Sequence, residues 1–119
     1  MTVKQLEANV RSKPGLAMID LRGEIDSFAE NELNRAYEEA EAGEPKAILL
    51  NFTEVDYINS TGIALIVSLL ARARKAHRRL ITYGLSDHYV EIFQITRLAD
   101  FMSVFPDEGS AMTSALYNS

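Results

Sequence analysis

A nearly continuous apolar run in the middle of the chain, residues 47–52, constrains the fold more than any other segment. A strand with one face in solvent alternates apolar and polar side chains, whereas this run has the pattern of a strand buried on both faces. Such strands occur in sheets that are covered by helices. The run therefore predicts an α/β fold built around a buried strand.

Strand and helix patterns alternate along the rest of the 119 residues. This order predicts parallel strand pairs joined by helical crossovers, and an N-terminal hairpin with a turn at residues 12–15 makes the sheet mixed. No linker or composition break divides the chain, so we predict a single domain over residues 1–119 with helices on at least one face of the sheet. The predicted strands are residues 3–10, 16–21 with an end within 22–25, 47–52, 80–84 and 102–105; the predicted helices are 26–42, 61–77, 86–93 and 107–117; residues 53–59 are predicted as a loop.

The first two predicted helices each carry an apolar stripe at helical spacing. At the start of the first, Ser27 and Glu30 have the spacing of a capping box, in which each side chain binds a free backbone N–H at the helix end. The predicted apolar stripes are Phe28, Leu33, Ala36, Tyr37 and Ala40 in the first helix, and Ile63, Ile66, Val67, Leu70 and Ala73 in the second.

Charged residues are unevenly distributed, with glutamates crowding residues 30–44 and arginines and lysines crowding residues 72–79. The formal net charge is −5, from 17 acidic and 12 basic residues. This balance argues against nucleic-acid binding, which depends on neutralising phosphates. The two charged segments are interpreted either as solvated helix faces or, for the basic one, as a stripe that recognises a partner.

Composition also bears on the class of protein. The chain has no cysteine, which excludes disulfides, thiol nucleophiles and cysteine-based metal sites. The N-terminal residues lack the apolar run of a secretory signal, and the longest apolar stretch, residues 63–71, is too short to span a bilayer. We therefore expect a cytoplasmic protein without direct membrane insertion.

Enzyme signatures are absent from the sequence. There is no glycine-rich phosphate loop and no G-x-S-x-G elbow, and His77 and His88 are not at metal-ligand spacing. Asp20, Glu24 and Asp26 are interpreted as a solvated strand end and a helix cap instead of an acid–base set. We predict that the chain is not an enzyme and has no metal, cofactor or catalytic residues of its own.

The most informative segment is Asn59-Ser60-Thr61-Gly62, at the predicted start of the second helix. One interpretation is helix capping, in which Asn59 or Ser60 accepts a hydrogen bond from a free backbone amide. The other is that the Ser60 hydroxyl is a modification site, because a phosphate there would lie at the positive end of the helix dipole. The residues alone leave both interpretations open.

Several segments, in order, resemble the anti-sigma-factor antagonists, the bacterial members of the STAS domain class. Residues 23–26 (GEID) are similar to the family's G-x-[LIV]-D turn, and residues 59–63 (NSTGI) to its D-S-[ST]-G-[LI] switch motif. Residues 47–52 and 55–58 resemble its central strand and following loop, and residues 85–86, 90–93 and 96–98 resemble its third-helix segment. The likeness extends over residues 16–116.

This resemblance implies a mixed four- to five-stranded sheet with about four helices packed mainly on one face. It implies a partner-switching function in transcription regulation: the unphosphorylated chain binds an anti-sigma factor with serine kinase activity and frees a sigma factor. The kinase, which holds the ATP, then phosphorylates Ser60 and ends binding, and a metal-dependent serine phosphatase restores it. The partner-binding residues implied by the resemblance are Asp26, Asn59, Ser60, Thr61, Ala64, Ser68 and Arg72, with Lys75 as an extension.

The chain departs from the family's phosphorylated members at Asn59, where they usually carry aspartate. Asparagine keeps the capping geometry but removes a negative charge. The alternative function is therefore an unphosphorylated STAS scaffold, or the soluble subunit of a larger transport or signalling assembly. A third hypothesis is an enzyme with Ser60 as nucleophile, although no histidine lies close in sequence to serve as its base.

Overall fold

The computed structural model describes residues 4–117 of the chain. Five strands form one sheet in the order β1-β2-β3-β4-β5. Strand β1 is antiparallel to β2, and every later neighbouring pair is parallel. The strands are β1 (Glu7–Lys13), β2 (Leu16–Ile25), β3 (Ala47–Ile58), β4 (Arg79–Tyr83) and β5 (Ser103–Phe105); the helices are α1 (Glu30–Glu41), α2 (Ser60–Lys75), α3 (Asp87–Ile95) and α4 (Glu108–Tyr117).

The sheet separates two apolar cores. Alternate residues of β2 and β3, such as Ile19 and Leu50, pack with buried residues of α1, α2 and α3 on one face. Met18 and Leu49 point to the other face, where they pack with Ala111 of α4. A mixed five-stranded sheet with three of its four helices on one face confirms the predicted fold class.

The first strand begins later than predicted. It spans Glu7–Lys13 instead of residues 3–10, and residue 3 of that prediction lies outside the described residues. Lys13 pairs directly with Leu16, so the turn is only Pro14-Gly15, and the strand includes residues 12 and 13 of the predicted turn. Gly15 has a φ of 80°, a conformation that glycine adopts without steric cost.

The prediction of a loop at residues 53–59 is wrong, because β3 continues to Ile58. Val55 and Tyr57 alternate with Glu54 and Asp56, a strand pattern that the loop prediction overlooked because the continuous apolar run ends at Phe52. Parallel pairing with β2 carries on from Arg22 with Glu54 to Ile25 with Ile58. Backbone hydrogen bonding to β2 therefore extends β3 beyond its apolar run.

The predicted capping box at the first helix is also wrong. Asp26 caps the 3₁₀ turn before the helix, where its carboxylate accepts a hydrogen bond from the N–H of Phe28 at 2.9 Å, in agreement with the interpretation of this group of carboxylates as a strand end and a cap. The N-cap of α1 itself is Ala29, which gives the helix no side-chain cap. Residues Ser27–Ala29 form a single 3₁₀ turn before α1 begins at Glu30. This turn rotates Phe28 away from the predicted apolar stripe and leaves it 85% exposed. The remaining predicted elements lie within two residues of those observed.

Candidate functional site

The predicted site lies where β2 and β3 end side by side. Ile25 and Ile58 are paired residues at the carboxyl ends of these parallel strands. Asp26 and Asn59 follow them directly, and the N–H of Asn59 donates to the carbonyl of Ile25 at 3.2 Å. The chain therefore brings the start of the first 3₁₀ turn and the start of α2 to the same end of the sheet.

Asn59 is the N-cap of α2. Its backbone is extended, with φ −93° and ψ −177°, and its side-chain oxygen accepts from the N–H of Gly62 at 2.8 Å. Of the two caps that the sequence allowed, the structure has Asn59. This leaves the Ser60 hydroxyl exposed on the first residue of α2, without a hydrogen-bond partner among residues 4–117.

Gly62 allows the first turn of α2 to approach the end of β2. A β-carbon at Gly62 would lie within 2.8 Å of the carbonyl carbon of Ile25 and closer still to its oxygen. Any side chain here would push α2 away from β2. Residues 59–62, called the switch segment below, are thus held against Ile25 by a hydrogen bond at Asn59 and by close packing at Gly62.

The start of α2 is a favourable place for a negative charge. The first turn of α2 contains no acidic residue, and its last turn carries Arg72, Arg74 and Lys75. Free N–H groups and the helix dipole give the first turn a partial positive charge. A phosphate on Ser60 would therefore be tolerated by the folded chain.

The outer face of α2 continues from the switch segment. Thr61, Ala64 and Ser68 are exposed, and the Ser68 hydroxyl donates to the carbonyl of Ala64 at 3.2 Å. Ser60, Ala64, Ser68 and Arg72 are spaced four residues apart, and such positions drift by about 40° around an α-helix, so this row turns gradually along α2.

At the end of that row, Arg72 is engaged with α1. It lies about 18 Å along the helix from Ser60. Its guanidinium donates to Glu41 at 2.9 Å and to Asn34 at 3.3 Å, and stands 4.5 Å from the centre of the Tyr37 ring. Arg78 also donates to Glu41, at 3.3 Å. The basic and acidic segments therefore partly neutralise each other between the helices, and a contact of Arg72 with a partner stays a prediction.

Exposed apolar side chains flank the site. Phe28 follows Asp26 by two residues, and Tyr57, which precedes Asn59 by two, is 50% exposed. Val67, on α2, is 45% exposed although it was predicted on the buried stripe. None of the three was predicted at this surface, because the sequence pattern places Phe28 and Val67 in the core and Tyr57 in a loop.

Tyr89 of α3 also reaches the site. Its hydroxyl oxygen accepts from the N–H of Ile58 at 2.8 Å, one residue before the switch segment. The two residues are 31 positions apart, and nothing in the sequence predicts that they meet.

A second polar cluster lies on the sheet face that carries α4. Arg11 donates to Asp20 at 2.7 Å and to Glu108 at 2.8 Å, and the Tyr83 hydroxyl donates to Glu108 at 2.8 Å. Asn51 donates to Asp20 at 2.8 Å. Asp20 is thus paired with a cation and does not join Asp26 in an acid–base set.

Burial and hydrogen bonding shift the pKa values in this cluster. Burial opposes ionisation of Asp20, but the hydrogen bonds from Arg11 and Asn51 outweigh it, so the pKa of Asp20 lies below its ordinary value. Hydrogen bonds from Arg11 and Tyr83 lower the pKa of Glu108. Burial, with Glu108 beside it, raises the pKa of the Tyr83 hydroxyl. The cluster therefore joins β1 through β4 to α4 with charged hydrogen bonds.

Two further classes of site were sought in residues 4–117. No group of three or more histidine or acidic side chains in this range is arranged to hold a metal ion. None of its helices combines the length and apolarity needed to cross a membrane.

The sequence profile of the STAS domain matches residues 7–111, almost the whole described chain. The protein belongs to the STAS domain family. Among STAS proteins, the chain is 32% identical over 91 residues to an anti-sigma-B factor antagonist of Listeria monocytogenes, an alignment that covers 76% of this chain and 80% of the relative.

Solved structures share this fold. An anti-sigma factor antagonist from Mycobacterium paratuberculosis superposes with a TM-score of 0.81 at 18% identity, covering 93% of this chain and 94% of the other. The phosphorylated form of the Bacillus cell fate determinant SpoIIAA gives a TM-score of 0.67 at 21% identity, covering 87% and 96%. These two likenesses concern the fold alone.

Proposed function

We propose that this chain is a single-domain anti-sigma factor antagonist whose partner binding ends when Ser60 is phosphorylated. The observation that carries the proposal is the Ser60 hydroxyl, exposed and without a partner in the described residues, on the first residue of α2. The name of the Listeria relative, an anti-sigma-B factor antagonist, supports the same function.

In the binding-competent state, the docking surface combines the switch segment with the exposed face of α2. Ser60, Thr61, Ala64 and Ser68 supply small side chains that permit close approach of a partner, and Asp26 borders them. Phe28 and Tyr57 add exposed aromatic area of the kind that often anchors protein interfaces. The partner is an anti-sigma factor with serine kinase activity, and its capture frees a sigma factor.

Phosphorylation of Ser60 changes this surface from one that binds the partner to one that repels it, without unfolding the chain. The kinase transfers the γ-phosphoryl group of ATP to the Ser60 oxygen, the hydroxyl proton passes to a base of the kinase, and ADP leaves. The product adds about −1.5 to −2 charges and three acceptor oxygens. The helix end accommodates that charge, whereas a docked partner must desolvate it beside Asp26. A penalty of about 3–4 kcal/mol weakens affinity several hundred-fold.

Reversal requires hydrolysis of the phosphoserine. A serine phosphatase of the metal-dependent class supplies that step, and its metal belongs to the phosphatase. Exposure of Ser60 gives both enzymes access to the same oxygen.

The test compares binding by Ser60→Asp and Ser60→Ala variants with that of the wild type. Each tagged chain is used to capture the anti-sigma factor kinase from cells of origin, and affinity is then measured with the purified kinase. We expect Ser60→Ala to bind like the unmodified wild type and Ser60→Asp to bind at least about 100-fold more weakly. Thr113→Asp, which adds the same charge at an exposed position of α4, is the matched control and should bind normally.

The alternative is an unswitched STAS scaffold or a subunit of a larger assembly, and Asn59 is the observation that favours it. Equal binding of the kinase by Ser60→Asp and wild type would contradict the switch. Capture of a different, stable partner by all variants would support the scaffold.

A further inference from the structure

The end of β3 is held on one edge by β2 and on the other by a side chain. Pairing between β3 and β4 stops at Asn51 with Tyr83, while pairing with β2 continues to Ile58. Successive N–H groups of a strand point to opposite edges. That of Asn59 points to β2, where it donates to Ile25. The N–H of Ile58 therefore points to the edge that β4 has left, and there it meets the hydroxyl oxygen of Tyr89.

This contact is buried. Ile58 is 5% exposed and Tyr89 is 9% exposed, so water has little access to the hydrogen bond between them. A buried amide that loses its acceptor carries a desolvation cost that the rest of the fold must offset. The Tyr89 hydroxyl thus takes the place of a carbonyl from the missing strand and fixes the last residue of β3.

We propose that Tyr89 is a positioning residue for Ser60, through which the placement of α3 sets the presentation of the Ser60 hydroxyl. The inference rests on the proposed function. Three hydrogen bonds connect Tyr89 to the segment that carries Ser60. The N–H of Ile58 donates to the Tyr89 hydroxyl, and the N–H of Asn59 donates to the Ile25 carbonyl. The Asn59 side chain accepts from the N–H of Gly62. Ser60 lies between the last two anchors, so its backbone has little freedom while all three persist.

The test uses Tyr89→Phe, which removes the hydroxyl and keeps the ring. Tyr83→Phe is the matched control, because it also removes a hydrogen-bonded hydroxyl from a buried tyrosine. The Tyr83 hydroxyl donates to Glu108 of α4 and does not contact Ile58. Amide hydrogen exchange, followed residue by residue by NMR on the full chain, is the first measurement. We expect the amides of Ile58 and Asn59 to exchange about tenfold faster in Tyr89→Phe than in Tyr83→Phe, which leaves the contact at Ile58 intact.

The second measurement is phosphorylation of Ser60 by the purified kinase captured above. Misplacement of a reacting hydroxyl lowers kcat, whereas loss of docking area raises KM. We expect kcat to fall about tenfold in Tyr89→Phe with little change in KM, and neither to change in Tyr83→Phe. Equal effects of the two variants, or wild-type exchange at Ile58 in Tyr89→Phe, would overturn the inference. If no kinase acts on wild-type Ser60, the proposed function fails, and hydrogen exchange still decides whether Tyr89 holds the switch segment.

Discussion

Gly62 packs directly against the backbone carbonyl of Ile25, and this approach sets where α2 begins relative to β2. The same carbonyl accepts the N–H of Asn59 at 3.2 Å. One peptide group of β2 therefore positions residues on both sides of Ser60. Asp26, which follows Ile25, is placed beside the switch segment by the same arrangement.

Replacing Gly62 should disturb both stability and the switch. Alanine normally favours a helix over glycine by about 1 kcal/mol, but the added β-carbon would meet the backbone of Ile25. We expect the clash to dominate, so that Gly62→Ala lowers the free energy of unfolding by about 2 kcal/mol or more in urea denaturation. Gly43→Ala is the control, because a β-carbon there meets nothing within 4 Å. Equal stability of the two variants would contradict the proposed packing.

The cap of α2 gives a second prediction. Asn59→Ala removes the acceptor for the N–H of Gly62 and should cost about 1 kcal/mol of stability. Asn59→Asp keeps an acceptor and adds a negative charge at the helix N-terminus, which is worth about 0.3–1 kcal/mol. Thermal unfolding should therefore rank Asn59→Asp at or above wild type and Asn59→Ala below it. The reverse order would mean that Asn59 does not act as the cap.

Tyr37 offers a test of a buried hydroxyl. Its oxygen is buried and has no hydrogen-bond partner among the described residues, and burial raises the pKa of this phenol. Removing an unsatisfied polar group relieves its desolvation cost, so Tyr37→Phe should leave stability unchanged or raise it by about 1 kcal/mol. Tyr83→Phe, which breaks a hydrogen bond to Glu108, should lower stability in the same urea titration. A clear loss in Tyr37→Phe would show that the hydroxyl has a partner in solution.

The cluster around Arg11 predicts how stability depends on pH. The pKa values of Asp20 and Glu108 lie below their ordinary values of 3.8 and 4.5, so folding favours their ionised forms. Their contribution is complete above those ordinary values and is lost as the pH falls through the lowered ones. Arg11→Met removes the hydrogen bonds from Arg11, which contribute most to lowering each pKa, and leaves those from Asn51 and Tyr83 in place.

We therefore expect the wild type to be more stable than Arg11→Met near neutral pH, with a difference that shrinks below about pH 4. Urea unfolding at a series of pH values measures it. A constant offset between the two curves from pH 7 to pH 3 would show that these carboxylates are not linked to folding.

Local patterns predicted much of this fold. The apolar run at residues 47–52 and the stripe of Ile66, Leu70 and Ala73 lie where the sequence placed them, in a buried strand and on the buried face of α2. Each pattern is set by residues that are neighbours in one element. The cap by Asn59 was one of two options, and only the backbone geometry at the helix start distinguished them.

The predictions that were wrong concern places where segments far apart in the sequence meet. The second half of β3 forms because β2 pairs with it, although the continuous apolar run ends at Phe52. Ser27 does not cap α1, because a 3₁₀ turn capped by Asp26 precedes that helix. The contact between Tyr89 and Ile58 depends on where β4 ends, which no short-range pattern encodes.

The most direct test of the central claim is a phosphosite map of the chain isolated from its own cells, with phosphatases blocked and bound proteins retained. We expect phosphate on Ser60 in the free fraction and unmodified Ser60 in the fraction bound to an anti-sigma factor kinase. Unmodified Ser60 in both fractions, with a different stable partner, would contradict the phosphorylation switch.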